Sequence, residues 1–292
     1  MPRSFVPAVD NTATQHEATG HLAINNTFLR RVFTLLALRT TARLYRYDGP
    51  RVPISKSLIV KTGPYVHLTE AATMKFIGIK TSIPVPNVYC SFIHRNRAFI
   101  VMERIQGQPL SKVWKSLSDT DRESILTQLR DMMRELRALQ PPPGTGLESC
   151  MVGSLRDSRI ARSRPRFGVQ NDSRVPHLAR DDLRSEEHTN RQDDQDWKDI
   201  KDMVSKQDGL WPPPVFSHGD LNPFNIFVYG NRVVSIVDGE FAGWYPCYWE
   251  HTSAWCGNLT RQAWQESITK FLDPYPAELK METIRQKWWG DL

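Results

Sequence analysis

The chain has 292 residues, 40% of them apolar, enough for one large or two ordinary domains with a core of their own. Its 38 Lys and Arg against 32 Asp and Glu leave a formal charge of +6, but the basic residues form no long block or helical stripe, so a nucleic-acid partner is not expected. The 4 cysteines make no Cys-x-x-Cys pair and no disulfide framework, and the longest early apolar run, Val32 to Leu38, is far short of a span, so a soluble cytoplasmic protein without a membrane partner is expected.

Residues 1–20 lack apolar periodicity and read as a mobile tail. From Asn26, the residues Leu29, Val32, Phe33, Leu36 and Ala37 recur at helical spacing and predict a helix packed through that stripe, with Asn25 or Asn26 as its cap. Leu44 to Tyr47 and Leu58 to Lys61 read as strands joined by a loop containing Gly49, Pro50 and Pro53. Lys61 stands at the end of the second, a position that by itself most often means a solvated strand terminus. Leu68 to Ile77 is helical, with Leu68, Ala72 and Phe76 on one face and Glu70 off it. Two further strands follow, around Val88 to Ile93 and Ala98 to Glu103, and then Gln106-Gly107.

Beyond that point the pattern turns helical. Thr120 is the expected cap of a helix whose Ile125, Leu129, Met132, Leu136 and Leu139 make a core stripe that stops at Pro141. Residues 145–195 are low in periodicity, with Arg156, Arg159, Arg162, Arg164 and Arg166 preceding an acid-rich run from Asp181 to Asp199, and read as a solvated insertion. A short helix is expected over Asp196 to Val204. The last helices carry Tyr248, Trp249, Trp255, Phe271, Trp288 and Trp289, rings expected in a core rather than in a cage for a quaternary ammonium.

The most informative stretch is 216–246. Ile226 to Tyr229 and Val233 to Val237 are short β-branched and aromatic runs around Gly230-Asn231-Arg232, a hairpin pattern that returns Asp238 to the neighbourhood of Asn225. Asp220 precedes Asn225 on a loop containing Pro223. Two carboxylates and an amide oxygen at one rim are hard donors of the kind Mg²⁺ takes, usually alongside waters and phosphate oxygens.

His218-Gly219-Asp220, Asn225 and Asp238-Gly239-Glu240 resemble the catalytic and metal-binding loops of the aminoglycoside phosphotransferase and choline kinase superfamily, relatives of protein kinases. Asp220 to Asn225 and Glu240 to Pro246 are similar in particular to its fungal phosphotransferase-enzyme branch. The resemblance implies an α+β, bilobal, protein-kinase-like fold, with a small antiparallel-sheet N-lobe over 21–104 and a larger, mostly helical C-lobe over 105–292. It implies an ATP- and Mg²⁺-dependent transfer of the γ-phosphate to a hydroxyl. Asp220 would take the hydroxyl proton, Asn225 and Asp238 would hold Mg²⁺, and Lys61 would grip the phosphates. Glu70 would either steady Lys61 or be a surface acid of the first helical turn. Backbone groups of Met102, Glu103 and Arg104 would meet the purine. Gly219 occupies the place of the arginine that protein kinases carry there, and no long activation segment follows Asp238, so the expected acceptor is a small hydroxylated molecule. Gly239 in place of a bulky residue and the missing Gly-x-Gly-x-x-Gly loop support an alternative, a catalytically weak nucleotide-binding or scaffold protein. Neither the acceptor nor the oligomeric state is written in the sequence.

Overall fold

The computed structural model describes residues 16, 19–47, 49–151, 195–207 and 211–289. The Arg-rich part of the expected insertion and most of the expected tail lie outside them. His16, within that tail, is buried, its ring stacked 5.6 Å from that of His67. Among the described residues no helix is long and apolar enough to cross a membrane.

Four strands form the first sheet: β1 (Arg51–Pro53), β2 (Leu58–Gly63), β3 (Val88–His94) and β4 (Arg97–Glu103), in the antiparallel order β1-β2-β4-β3. The β3–β4 reversal is a two-residue turn with both Arg95 and Asn96 at positive φ, the geometry that matches the twist of a hairpin. Alternation then sorts the side chains. Val60, Cys90, Phe92, Phe99 and Val101 share one buried cluster, and Ala98, Ile100 and Met102 share another with the first half of α2 (Leu68–Lys80).

The N-terminal lobe departs from the expected pattern in three places. Leu44 to Tyr47 is no strand: Thr41–Leu44 is a 3-10 turn and Leu44 is exposed. The partner of β2 is β1 instead, an edge strand where Pro53 costs no ladder bond. Helix α1 (Phe28–Arg39) is capped by Thr27, which accepts from the Arg30 N–H, rather than by either asparagine. It also presents a different side. Thr34 is buried and Leu35 and Leu38 pack on the Phe92 cluster, while Leu29 and Phe33 of the expected packing stripe are 63% and 64% exposed. Periodicity finds a helix with two apolar flanks but not which of them meets the sheet.

The C-terminal lobe comprises β5 (Gln108–Pro109), α3 (Leu110–Val113), α4 (Asp119–Arg137), α5 (Gln195–Gln207), β6 (Val215–Ser217), β7 (Ile226–Tyr229), β8 (Arg232–Ile236), β9 (Gly243–Tyr245), α6 (Trp249–Cys256), α7 (Gln262–Phe271) and α8 (Pro276–Trp289). Ser118, not Thr120, caps α4, its hydroxyl accepting from the Asp121 N–H. Ile125, Leu129 and Leu136 are buried as expected, joined by Leu126 and Met133. They share one core with Phe216, Leu221, Ile226, Trp264, Ile268 and Phe271, and with Ile77 and Ile83 from the first lobe. That shared apolar seam joins the two lobes into one α+β bilobal fold.

The informative stretch folds as two nested antiparallel pairs. The outer pair is β6–β9, with Phe216 opposite Trp244; the inner is β7–β8, with Ile226 opposite Ile236. The chain passes between them twice, over 218–225 and 237–242. Both crossings emerge at the same end of the inner hairpin.

Candidate active site

The first crossing is held by hydrogen bonds. His218 and Gly219 direct their N–H groups at Oε2 of Glu250, a buried carboxylate on α6. The His218 ring spans the two crossings: Nε2 donates to the Val237 carbonyl at 3.1 Å, leaving Nδ1 to accept from the Asp220 N–H at 3.3 Å. Gly219 has φ +81°, and a Cβ there would lie 2.7 Å from the Phe241 carbonyl oxygen, so no other residue fits. Asp220 accepts from Asn222 Nδ2 at 2.8 Å on one oxygen and from Asn225 Nδ2 at 2.9 Å on the other. Burial pushes its carboxyl above the usual range, which improves it as a proton acceptor.

The second crossing meets the first lobe through charge. Lys61 is 5% exposed, with Nζ 2.8 Å from Glu70 Oε2 and 2.5 Å from Asp238 Oδ1. Glu70 is 1% exposed, which rules out the surface-acid alternative. Arg51 Nη2 takes the other Asp238 oxygen at 3.2 Å. Burial alone would lower the Lys61 pKa, but Glu70, Asp238 and Glu240 outweigh it and push it up to about 12. Burial raises the Glu70 carboxyl in spite of Lys61. Asp238 is held below the usual range because Lys61 and Arg51 outweigh its own burial. Its backbone sits in the left-handed region at φ +67°, an uncommon conformation for a non-glycine residue and one that clusters at functional sites.

A metal would find hard donors here. Oxygens of Glu70, Asp238 and Glu240 all lie within 4.8 Å of one another. Asn225 is a backbone neighbour of this group, its carbonyl accepting from the Val237 N–H at 2.9 Å. Its side-chain nitrogen is committed to Asp220, so the amide oxygen is the atom it can offer a cation. An all-oxygen set of this kind fits Mg²⁺.

The expected purine contacts are only partly available. The Glu103 N–H donates to Asn87 O at 2.9 Å and the Arg104 N–H to Ser57 O at 2.8 Å, while Met102 is paired on both sides within the sheet. Their side chains are engaged as well, Glu103 with Asn87 Nδ2 and Arg104 over the Tyr45 ring. β4 ends at Glu103, as expected, and the flanking bonds to Asn87 and Ser57 consume these donors.

Arg51, Asn222, Glu240 and Glu250 carry geometry that sequence reasoning did not assign. Asn222 had a usable signal, lying within the Asp220 to Asn225 core. Glu250 had a faint one, as a lone acid in an aromatic run.

A sheet-and-helix lobe joined through an apolar seam to a helical lobe, with acids converging from both crossings, is the frame of the kinase-like phosphotransferases. Residues 61–280 match the sequence profile of the phosphotransferase enzyme family, and the chain belongs to that family. Its fold is that of solved aminoglycoside phosphotransferases. A ternary complex of APH(2'')-IIa with streptomycin and ATP superposes with a TM-score of 0.55 at 12% identity, covering 91% of this chain and 89% of that one. APH(3'')-Id of Streptomyces rimosus, solved with ADP and streptomycin, gives 0.53 at 15% identity over 91% and 99%. Subtelomeric hrmA-associated cluster proteins from two strains of Aspergillus fumigatus are 34% identical over 76 residues. That match covers 25% of this chain and spans 15% of the length of those relatives.

Proposed function

We propose that this protein transfers the γ-phosphoryl group of ATP, with Mg²⁺, to a hydroxyl of a small molecule. The observation that carries the reading is the convergence of Lys61 and Glu70 from the first lobe with Asp238 of the second, beside the loop where Asn222 and Asn225 hold Asp220. Such transfers depend on positioning and on neutralising charge spread over phosphate oxygens. Asp220 orients the acceptor hydroxyl and accepts its proton. Lys61 binds phosphate oxygens as a point charge, and Glu70 fixes the direction of its ammonium. Asn225 and Asp238, with Glu240 close by, are the residues that would hold Mg²⁺, which when bound neutralises phosphate charge. In this reading residues 21–104 cover the nucleotide and 105–292 carry catalysis and acceptor binding. The solved relatives that contain ATP or ADP lend support to the nucleotide as co-substrate.

A small acceptor is favoured because the chain passes from Asp238 to β9 within a few residues and pairs at once with β6, leaving no activation segment to receive a protein. The four free cysteines accord with a cytoplasmic setting, where ATP is also plentiful. The scaffold alternative leaned on Gly239, but that glycine is well packed: a Cβ there would meet Thr73 Cγ2 at 3.2 Å, so α2 already fills the space a larger residue would need.

The test is phosphoryl transfer from labelled ATP by the purified protein, with and without Mg²⁺, across a panel of hydroxylated metabolites. Mg²⁺-dependent labelling of a panel member is expected. Binding of nucleotide with no transfer to any member would favour the scaffold alternative, and no nucleotide binding in calorimetry would overturn both.

A further inference from the structure

We propose that Arg51 is a ligand for the terminal phosphates of the bound nucleotide, resting on Asp238 while the site is free. The proposal rests on the phosphotransferase reading and adds to it a second cation beside Lys61. Arg51 and Lys61 are directly opposed in the β1–β2 register, so both side chains project from the same face of the sheet. Like charges in that relation repel, and the pair needs an anion between them. Asp238 is that anion, with one oxygen on each cation.

A cation bound at Asp238 competes for those oxygens. Lys61 keeps Glu70 at 2.8 Å, whereas Arg51 has no other ion pair among the described residues. A triphosphate arriving with the metal supplies the missing anion. The guanidinium fork pairs readily with phosphate oxygens. Arg51 is also free to make the exchange, its side chain being 45% exposed on a three-residue edge strand while Lys61 is nearly buried.

Calorimetric titration of ATP, ADP and AMP into the wild-type protein, Arg51→Ala and Arg51→Lys tests the assignment, with and without Mg²⁺. Arg51→Ala is expected to weaken ATP about 10- to 100-fold, the worth of a charge-assisted hydrogen bond, and to leave AMP unchanged. Arg51→Lys should fall between them, and the loss should be larger with Mg²⁺ than without it. Unchanged or tighter ATP binding by a folded Arg51→Ala would overturn the proposal and leave Arg51 as a plug on Asp238; equal losses for ATP and AMP would also overturn it. A wild-type protein that binds no nucleotide would instead overturn the phosphotransferase reading itself.

Discussion

The two walls of the crevice are built on different physics. On the loop wall Asp220 is gripped by two side-chain amides, and its loop by His218 and by two N–H bonds to Glu250. On the sheet wall Lys61, Glu70, Asp238 and Arg51 hold one another through ion pairs. Hydrogen bonds from backbone and amide N–H groups fix direction and need not be exchanged for a ligand. Ion pairs are partners that can be exchanged for phosphate and metal. The loop wall therefore suits a group that must stay in one place, and the sheet wall suits a site that must open to a highly charged substrate.

That contrast breaks most sharply at Asp220. Asp220→Asn is expected to lower kcat by about 10²–10⁴, the usual worth of a positioned base. Its nucleotide affinity should match the wild type by calorimetry, and an unchanged kcat would remove Asp220 from the chemistry. On the other wall the first casualty is stability. Lys61→Met strands the buried Glu70 without its cation while Asp238 keeps Arg51, and breaking such a buried pair costs about 3–5 kcal/mol in urea unfolding at pH 8. A loss below about 1 kcal/mol would mean that the pair is merely tolerated.

The smallest expected effect is one of pH. Glu70 is raised from 4.5 to about 7, so the unfolded chain gives up that proton more readily than the folded one. Its contribution is present below pH 4.5 and lost as pH climbs through about 7. Burial moves the carboxyls of Asp220 and Glu250 the same way. Asp238 acts in the opposite sense only below its ordinary value of 3.8, and His251, lowered by burial from 6.5, offsets part of the carboxyl effect. Urea midpoints of the ligand-free protein should therefore fall between pH 5 and 7.5, and fall less steeply in Glu70→Gln. Parallel slopes in the two proteins would show that Glu70 does not titrate in this window.

Much of the candidate site was legible because it is local. Asn225 and Asp238 are brought together by a hairpin that announces itself in two β-branched runs and a turn, with Gly230 at φ +59°. Two of the residues that escaped notice depend on distant chain. Glu250 acts 32 positions from His218, and Arg51 acts 187 from Asp238. The same limit explains α1 and the missing strand at Leu44 to Tyr47, since apolar spacing reports that a segment has a face and says nothing of what lies opposite.

The sequence by itself determined the family and the double reversal that marks it, because turn residues and alternating strands act on their immediate neighbours. Only the tertiary structure decided which side of α1 meets the sheet, which hinge donors remain available and which cations share Asp238. Those outcomes follow from competition among remote groups for a few buried partners, and no local pattern records who wins it.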